Sequence, residues 1–300
     1  MSMGTNLPPQ IRERTISKAR TLLEALPFMR EHHGKVIVVK YGGAAMEKAG
    51  LAKPFAEDIA LLRSAGINPV VVHGGGPQVT QMSAQLGIET QFVDGSRVTD
   101  AQTLDVATMV LAGKLNTDVV STLVTGDVPA VGLSGVDGGL LVARKQSGPD
   151  LGFVGEVVHV NPGVVLTLLA QRYVPVIASI AMDGTGQAYN VNADVVASEL
   201  AMALGAEKLV FINDVPGLIG AAGDLLSELS AQQCLELLAA DGVVDGGMIP
   251  KLESSVRALK AGVGRVHLVD GRVEHSLVLE LFTPEGVGTM ITPDADVQDA

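Results

Sequence analysis

Short, wholly apolar runs that stop at a polar residue or a glycine recur along this chain. Val36-Ile37-Val38-Val39 stops at Lys40-Tyr41-Gly42-Gly43, Val70-Val71-Val72 at His73-Gly74-Gly75-Gly76, and Leu209-Val210-Phe211-Ile212 at Asn213-Asp214. A strand that is apolar at every position leaves no face for water. Both faces must be covered, which favours a mainly parallel sheet between layers of helices. Stretches of helical periodicity lie between the runs: AKPFAEDIALLRSAG, NPGVVLTLLAQRY and IPKLESSVRALKAG. The expectation is an α/β chain. A composition shift near Ala193 to Gly205 marks a junction between two lobes, 34–203 and 204–300, behind an N-terminal extension, 1–33.

That extension carries Ile16, Ala19, Leu22, Leu23 and Leu26 at helical spacing with charges between them. An amphipathic helix of this kind ordinarily packs on its own domain, with a partner subunit as the alternative. Formal charge is −12, from 33 acidic and 21 basic side chains, with no lysine/arginine cluster. Nucleic acid and anionic membrane are therefore excluded as main partners, and an anionic ligand would need a few well-placed cations. The lone cysteine, Cys234, forms no internal disulfide and sits in a leucine- and alanine-rich segment, where burial is expected. No apolar run approaches membrane length and no signal-peptide core precedes the extension, so a cytoplasmic location is expected.

In open α/β sheets, ligands bind beyond the carboxyl ends of the strands, which is where the three polar stops fall. Lys40 has two readings there: a strand-end charge reaching water, or a cation delivered to a phosphate. His73-Gly74-Gly75-Gly76 leads into a helix, and glycines let backbone N–H groups converge on an anion. Neither glycine loop has the order of a P-loop, and the dinucleotide fingerprint after a strand is missing too. A second unusual lysine, Lys251, follows Pro250 in the first turn of a predicted helix, where it opposes the helix dipole by ~0.3–1 kcal/mol. Asn190-Val191-Asn192-Ala193-Asp194 precedes another helix. There Asp194 or Asn192 is either a plain N-cap or, for Asp194, a buried acceptor for two lysines. Arg97 suits bidentate contact with a carboxylate, although a loop arginine by default faces solvent.

In this order, VVKYGGAAM, VVVHGGGPQ, SRVTD, LGFVGEV, NVNAD, FINDVPGL, GGMIPK and DGRVEHSLVLELF resemble the amino acid kinase family over about Lys35 to Thr292. Within it the similarity is to members that phosphorylate N-acetyl-L-glutamate in arginine biosynthesis, of the arginine-inhibited type. The resemblance implies a three-layer αβα sandwich with an acyl-substrate lobe, through which subunits dimerise, and a nucleotide lobe. Lys40 and Lys251 would stabilise the transferring phosphoryl group, with Asp194 orienting both. Gly42, Gly43, Asp214 and Lys251 would serve ATP. Gly75, Gly76, Arg97, Asn190 and Asn192 would hold the acyl substrate. Mg²⁺ would be bound mainly by nucleotide phosphates. The extension would interlace dimers into a hexamer, and His267, Glu280 and Gly286 would line a site for L-arginine, with Glu280 pairing with its guanidinium. Ala44, where many relatives carry asparagine, and Ser96, where leucine is more usual, depart from the pattern. Alternatives are a kinase of another carboxylate, such as N-acetylaminoadipate, or a non-catalytic arginine-binding sensor.

Overall fold

The computed structural model of the protein describes residues 8–43, 46, 48, 50–93, 95–220, 223–240, 244 and 247–294. Ala44 and the outer ends of the extension and tail, 1–7 and 295–300, lie outside them. In chain order the helices are α1 (Pro9–His32), α2 (Ala52–Ser64), α3 (Gly76–Gln85), α4 (Ala101–Thr108), α5 (Asn116–Thr125), α6 (Gly163–Ala170), α7 (Ala193–Ala203), α8 (Ala231–Ala239), α9 (Ile249–Lys260) and α10 (Ser276–Phe282). A π-helical stretch, Met109–Leu115, joins α4 to α5. The strands are β1 (Val36–Tyr41), β2 (Asn68–His73), β3 (Phe92–Val93), β4 (Ser96–Arg97), β5 (Ala130–Ser134), β6 (Leu141–Lys145), β7 (Gly155–Val160), β8 (Val174–Ala178), β9 (Ile180–Met182), β10 (Ala188–Asn190), β11 (Lys208–Asn213), β12 (Glu228–Ser230), β13 (Arg265–Asp270) and β14 (Thr289–Thr292).

Among the described residues one eight-stranded sheet runs β12-β14-β13-β11-β1-β2-β8-β5. Every pairing from β13 to β5 is parallel, and only β14 runs antiparallel to its neighbour β13. A smaller sheet, β10-β9-β6-β7, and the hairpin β3–β4 project from it. The apolar runs behave as their composition demands. Ile37, Val39, Val71 and Ile212 pack on one side with Phe55, Ile59 and Leu62 of α2 and Leu277 and Leu281 of α10. Val38, Val70, Val72, Leu209 and Phe211 pack on the other with Val196 and Leu200 of α7 and Leu252 and Val256 of α9. Successive side chains of a strand alternate between faces, and here each face has its own helical layer. The three-layer sandwich expected from the resemblance is the observed architecture, and Cys234 lies fully buried in it.

The same alternation aims the end of β1. Tyr41 turns toward α2 and stacks on Phe55, with ring centroids 3.9 Å apart and planes 4° from parallel. Lys40, one residue earlier, therefore turns toward α7 and α9. Register then sets the neighbours: Lys40 lies opposite Val72 on one side and Phe211 on the other, and Tyr41 lies opposite His73. The three polar stops consequently emerge side by side at one edge of the sheet.

α1 departs from the ordinary expectation for an amphipathic extension. Ala25, Phe28 and Met29 near its end pack against the core, but Ile11 is 51%, Ile16 44%, Leu22 70% and Leu23 65% exposed. Among the described residues, 10–24 of this helix are exposed along every face. No helix among the described residues is long and apolar enough to cross a membrane.

Candidate active site

Asp194 is the centre of the cleft at the sheet edge. Asn192 caps α7, its side-chain oxygen accepting from the Asp194 N–H at 2.7 Å, so of the two candidates Asn192 is the N-cap and Asp194 is not. The cap places Asp194 in the first turn, where its carboxylate also suits the positive end of the helix. Its Oδ1 stands 3.2 Å from Lys40 Nζ and its Oδ2 2.9 Å from Lys251 Nζ. Burial alone would push this carboxyl up, but the two ammonium groups outweigh it and hold Asp194 below the ordinary aspartate range. The carboxylate is thus ionised and shared. Two cations that would repel one another are held at one spot, and part of each remains open to solvent, at 12% and 20% exposure.

Lys251 reaches this position because it follows Pro250 in the first turn of α9, unfavourable for a cation on an isolated helix. Its approach to Asp194 offsets that cost. On the β1 side, a Cβ added to Gly42 would lie 2.7 Å from Lys40 Nζ, so a bare backbone there clears the space that the amine occupies. Gly43 abuts the exposed Asp214, as the adjacency of β1 and β11 requires.

Around these cations opens a cleft of about 510 Å³, lined by residues that include Lys40, Gly42, Gly43, Gly75, Gly76, Arg97, Asn190, Asn192 and Asp194. The first-turn N–H groups of α3, which begins at Gly76, have no intrahelical partners and face an anion readily. Arg97 is anchored rather than solvated. Its Nη2 donates to the Gly76 carbonyl and to Thr80 Oγ1, both at 2.8 Å, and its guanidinium lies 4.8 Å from the Phe92 ring centroid. Its Nη1 is buried with no protein acceptor, a donor left for a ligand's oxygen. Asn190 donates to Thr99 Oγ1 at 3.3 Å, which orients its amide at the opposite wall. Gln146 and Ser179 also line the cleft. Nothing in the sequence singled them out, although Thr99 stood in plain view beside Arg97.

His267, Glu280 and Gly286 are brought together elsewhere, beside β13. His267 Nδ1 donates to Glu280 Oε1 at 2.6 Å, and Lys208 Nζ lies 3.2 Å from His267 Nε2. Glu280 Oε2 accepts from the N–H groups of Val287 and Gly288 at 2.7 and 3.0 Å. Both carboxylate oxygens are therefore engaged inside the protomer, Oε1 by one donor and Oε2 by two. Burial is the chief reason the Lys208 ammonium falls to about 8.

The shared carboxylate makes a stability prediction. With its folded-state pKa lowered, Asp194 contributes stability fully above the unfolded aspartate value of ~3.9, and this is lost as pH falls through the folded value. Asp194→Asn should destabilise the protein at neutral pH by roughly 3 kcal/mol, the low end for a broken buried pair because both lysines keep some contact with water. In thermal scans the gap to wild type should hold constant down to about pH 5 and close below about pH 4. A gap unchanged at pH 3 would mean that the carboxylate charge is not its origin.

Residues 35–270 match the model of the amino acid kinase family. The acetylglutamate kinase of Carboxydothermus hydrogenoformans is 47% identical over 294 residues, covering 94% of this chain and 100% of that one. The acetylglutamate kinase of Symbiobacterium thermophilum is 50% identical over 290 residues, covering 93% and 99%. Among solved structures, N-acetylglutamate synthase from Neisseria gonorrhoeae, complexed with coenzyme A and N-acetyl-glutamate, matches with a TM-score of 0.83 at 28% identity. That alignment covers 92% of this chain but 64% of the synthase, so the chain spans less than two thirds of that protein's length. With lysines, glycine turns and shared aspartate at one sheet edge, and near-half identity along almost its whole length, the chain belongs to the amino acid kinase family, among its acetylglutamate kinases.

Proposed function

We propose that the chain transfers the γ-phosphoryl group of ATP to the side-chain carboxylate of N-acetyl-L-glutamate, giving N-acetyl-glutamyl 5-phosphate in arginine biosynthesis. The observation that carries this reading is the convergence of Lys40 and Lys251 on Asp194 beside the glycine turns. A carboxylate oxygen forms the new O–P bond while the bond from the γ-phosphorus to the bridging oxygen breaks and ADP leaves. The nucleophile is a glutamate-type carboxylate, which ordinarily titrates near ~4.3 and is already ionised at pH 7, so no general base is needed. What the protein must do is align two anions and offset charge on the group in flight.

Each part of the cleft has a place in that task. The two ammonium groups, fixed by one carboxylate, lie ready for the equatorial phosphoryl oxygens, and because Asp194 holds them in advance they need not reorganise during reaction. Arg97, with its free buried N–H, and the amides of Asn190 and Asn192 grip the N-acyl amino acid in the lobe 34–203. Gly42 and Gly43 at the end of β1, with Asp214 and Lys251 of the lobe 204–300, serve the nucleotide. Asp194, the buried carboxylate of this cleft, already has a lysine at each oxygen. That suits Mg²⁺ held through phosphate oxygens, where it would neutralise charge on the transferring group.

The exposed apolar residues of α1 support a further assembly step, in which this helix joins dimers into a hexamer. His267, which pairs with Glu280 of α10, lies on the strand whose Arg265 reaches Glu31 of α1 at 3.3 Å, so L-arginine bound there would sense how α1 is seated. Inhibition requires unequal arginine affinity for two seatings.

An ATP-dependent hydroxamate assay across N-acetylglutamate, glutamate, aspartate and N-acetylaminoadipate tests the activity. N-acetylglutamate should be preferred. Turnover of none, with arginine still bound, would favour a sensor, and preference for the longer acid would move the substrate. Lys40→Ala and Lys251→Ala should each lower kcat by about 10² or more with smaller changes in KM for ATP, whereas losses confined to KM would restrict them to ground-state binding. Deleting residues 1–31 should reduce the hexamer mass in light scattering and weaken arginine inhibition. An unchanged hexamer would discard α1 as the connector.

A further inference from the structure

His73 ends β2 and opens the glycine turn, yet none of the roles above uses it. It is fully buried, and its two ring nitrogens have different partners. Nε2 lies 3.1 Å from the side-chain Nδ2 of Asn116, and Nδ1 lies 3.0 Å from the Gly74 carbonyl oxygen. An amide nitrogen only donates and a carbonyl only accepts. Nε2 must then be the bare acceptor and Nδ1 must carry the proton. Burial lowers the His73 pKa, so the ring is neutral and this single tautomer satisfies both contacts.

Asn116 is itself fixed from several directions. Its Nδ2 also lies 3.0 and 3.3 Å from the carbonyl oxygens of Val176 in β8 and Leu133 in β5, so its two N–H groups are shared among three acceptors. One amide thus ties the end of β2 to β5 and to the middle of β8. Two features admit it to that place. The π-helical stretch Met109–Leu115 immediately precedes Asn116 and turns it away from the direction a continued α-helix would give. Opposite it stands Gly132, where a Cβ would collide with Asn116 Oδ1. A helix irregularity and a glycine in mid-strand each cost stability. Both are explained by the seat they make for this amide.

The consequence is felt in the cleft. In a trans peptide the carbonyl and the following N–H point in opposite directions. With the Gly74 carbonyl drawn inward to His73 Nδ1–H, the N–H of Gly75 is turned outward, and Gly75 lines the cleft. Were that carbonyl released, the peptide could rotate and present an oxygen to an anionic substrate instead. We propose that His73 is a positioning residue, locked in its Nδ1–H tautomer by Asn116, which fixes the Gly74-Gly75 peptide so that backbone N–H groups rather than a carbonyl face the transferring phosphoryl group. This rests on the phosphoryl-transfer reading of the cleft.

The test compares full-length wild type with His73→Leu and His73→Asn. Asparagine can place its amide nitrogen where Nδ1 stands and still donate to Gly74, whereas leucine cannot. His73→Leu should lose about 10² in kcat, the scale of one misdirected anion-binding donor, with KM for ATP and N-acetylglutamate little changed. His73→Asn should recover most of the loss. Two folded variants of equal Tm that lose kcat equally, or a leucine variant with wild-type kcat, would overturn the proposal. Long-range ¹H–¹⁵N spectra of labelled wild type, with His73 assigned by its loss in a variant, should show Nδ1 protonated. An Nε2–H tautomer would overturn the proposal even if neither variant folds. Absence of wild-type turnover with the Nδ1–H tautomer present would instead strike the functional reading and leave the His73 geometry standing.

Discussion

The site depends on one carboxylate shared by two lysines. Lys40 comes from β1 and Lys251 from α9, about two hundred residues apart in sequence, and Asp194 heads the helix packed between them. Without it, two ammonium groups a few ångströms apart would repel and turn to water. With it, the cluster carries a net single positive charge, both amines are localised, and the carboxylate stays ionised despite burial. A buried ion pair is weak evidence of stabilisation, because desolvation consumes much of the attraction. Its value here is positional: it sets two cations where a second, transient anion can enter.

The sheet makes that meeting possible. Alternation along β1 buries Val39 and Tyr41 toward α2 and leaves Lys40 pointing at α7. A slip of one residue would exchange the faces, bury the lysine beneath α2 and set an aromatic ring against Asp194. The stacked Tyr41–Phe55 pair therefore does more than fill the core, since it holds the register that aims the lysine. Parallel pairing of β1 with β2 and β11 does the rest by bringing a glycine turn and Asn213-Asp214 alongside.

Much of this was legible in the chain itself, because the signals were local and in conflict with ordinary placement. A lysine closing an apolar strand, another in a helix's first turn and glycines stacked after a strand are each anomalous, and a common anion explains all three. Less legible were contacts whose partners lie far apart in sequence and break no local rule. Asn116 sits in an ordinary polar segment, and only the fold shows its amide beside three strands, β2, β5 and β8. Thr99 beneath Asn190 and Phe92 beneath Arg97 are of the same kind. The occupation of Glu280 was hidden for a further reason: its partners at Val287 and Gly288 are backbone groups, which sequence does not mark.

The chain's charge of −12 makes the local design sharper. Substrates that are themselves anions approach against an adverse mean field, and at physiological salt charges more than about 8 Å away are largely screened. Attraction therefore has to come from the cleft. Its carriers are a lysine pair balanced by one aspartate, an arginine with an unspent N–H, and backbone donors at a glycine turn. Backbone N–H groups add no formal charge and contribute only if their peptides face the right way. In a protein so acidic, fixing the orientation of a single glycine peptide therefore matters as much to an incoming phosphate as retaining a lysine.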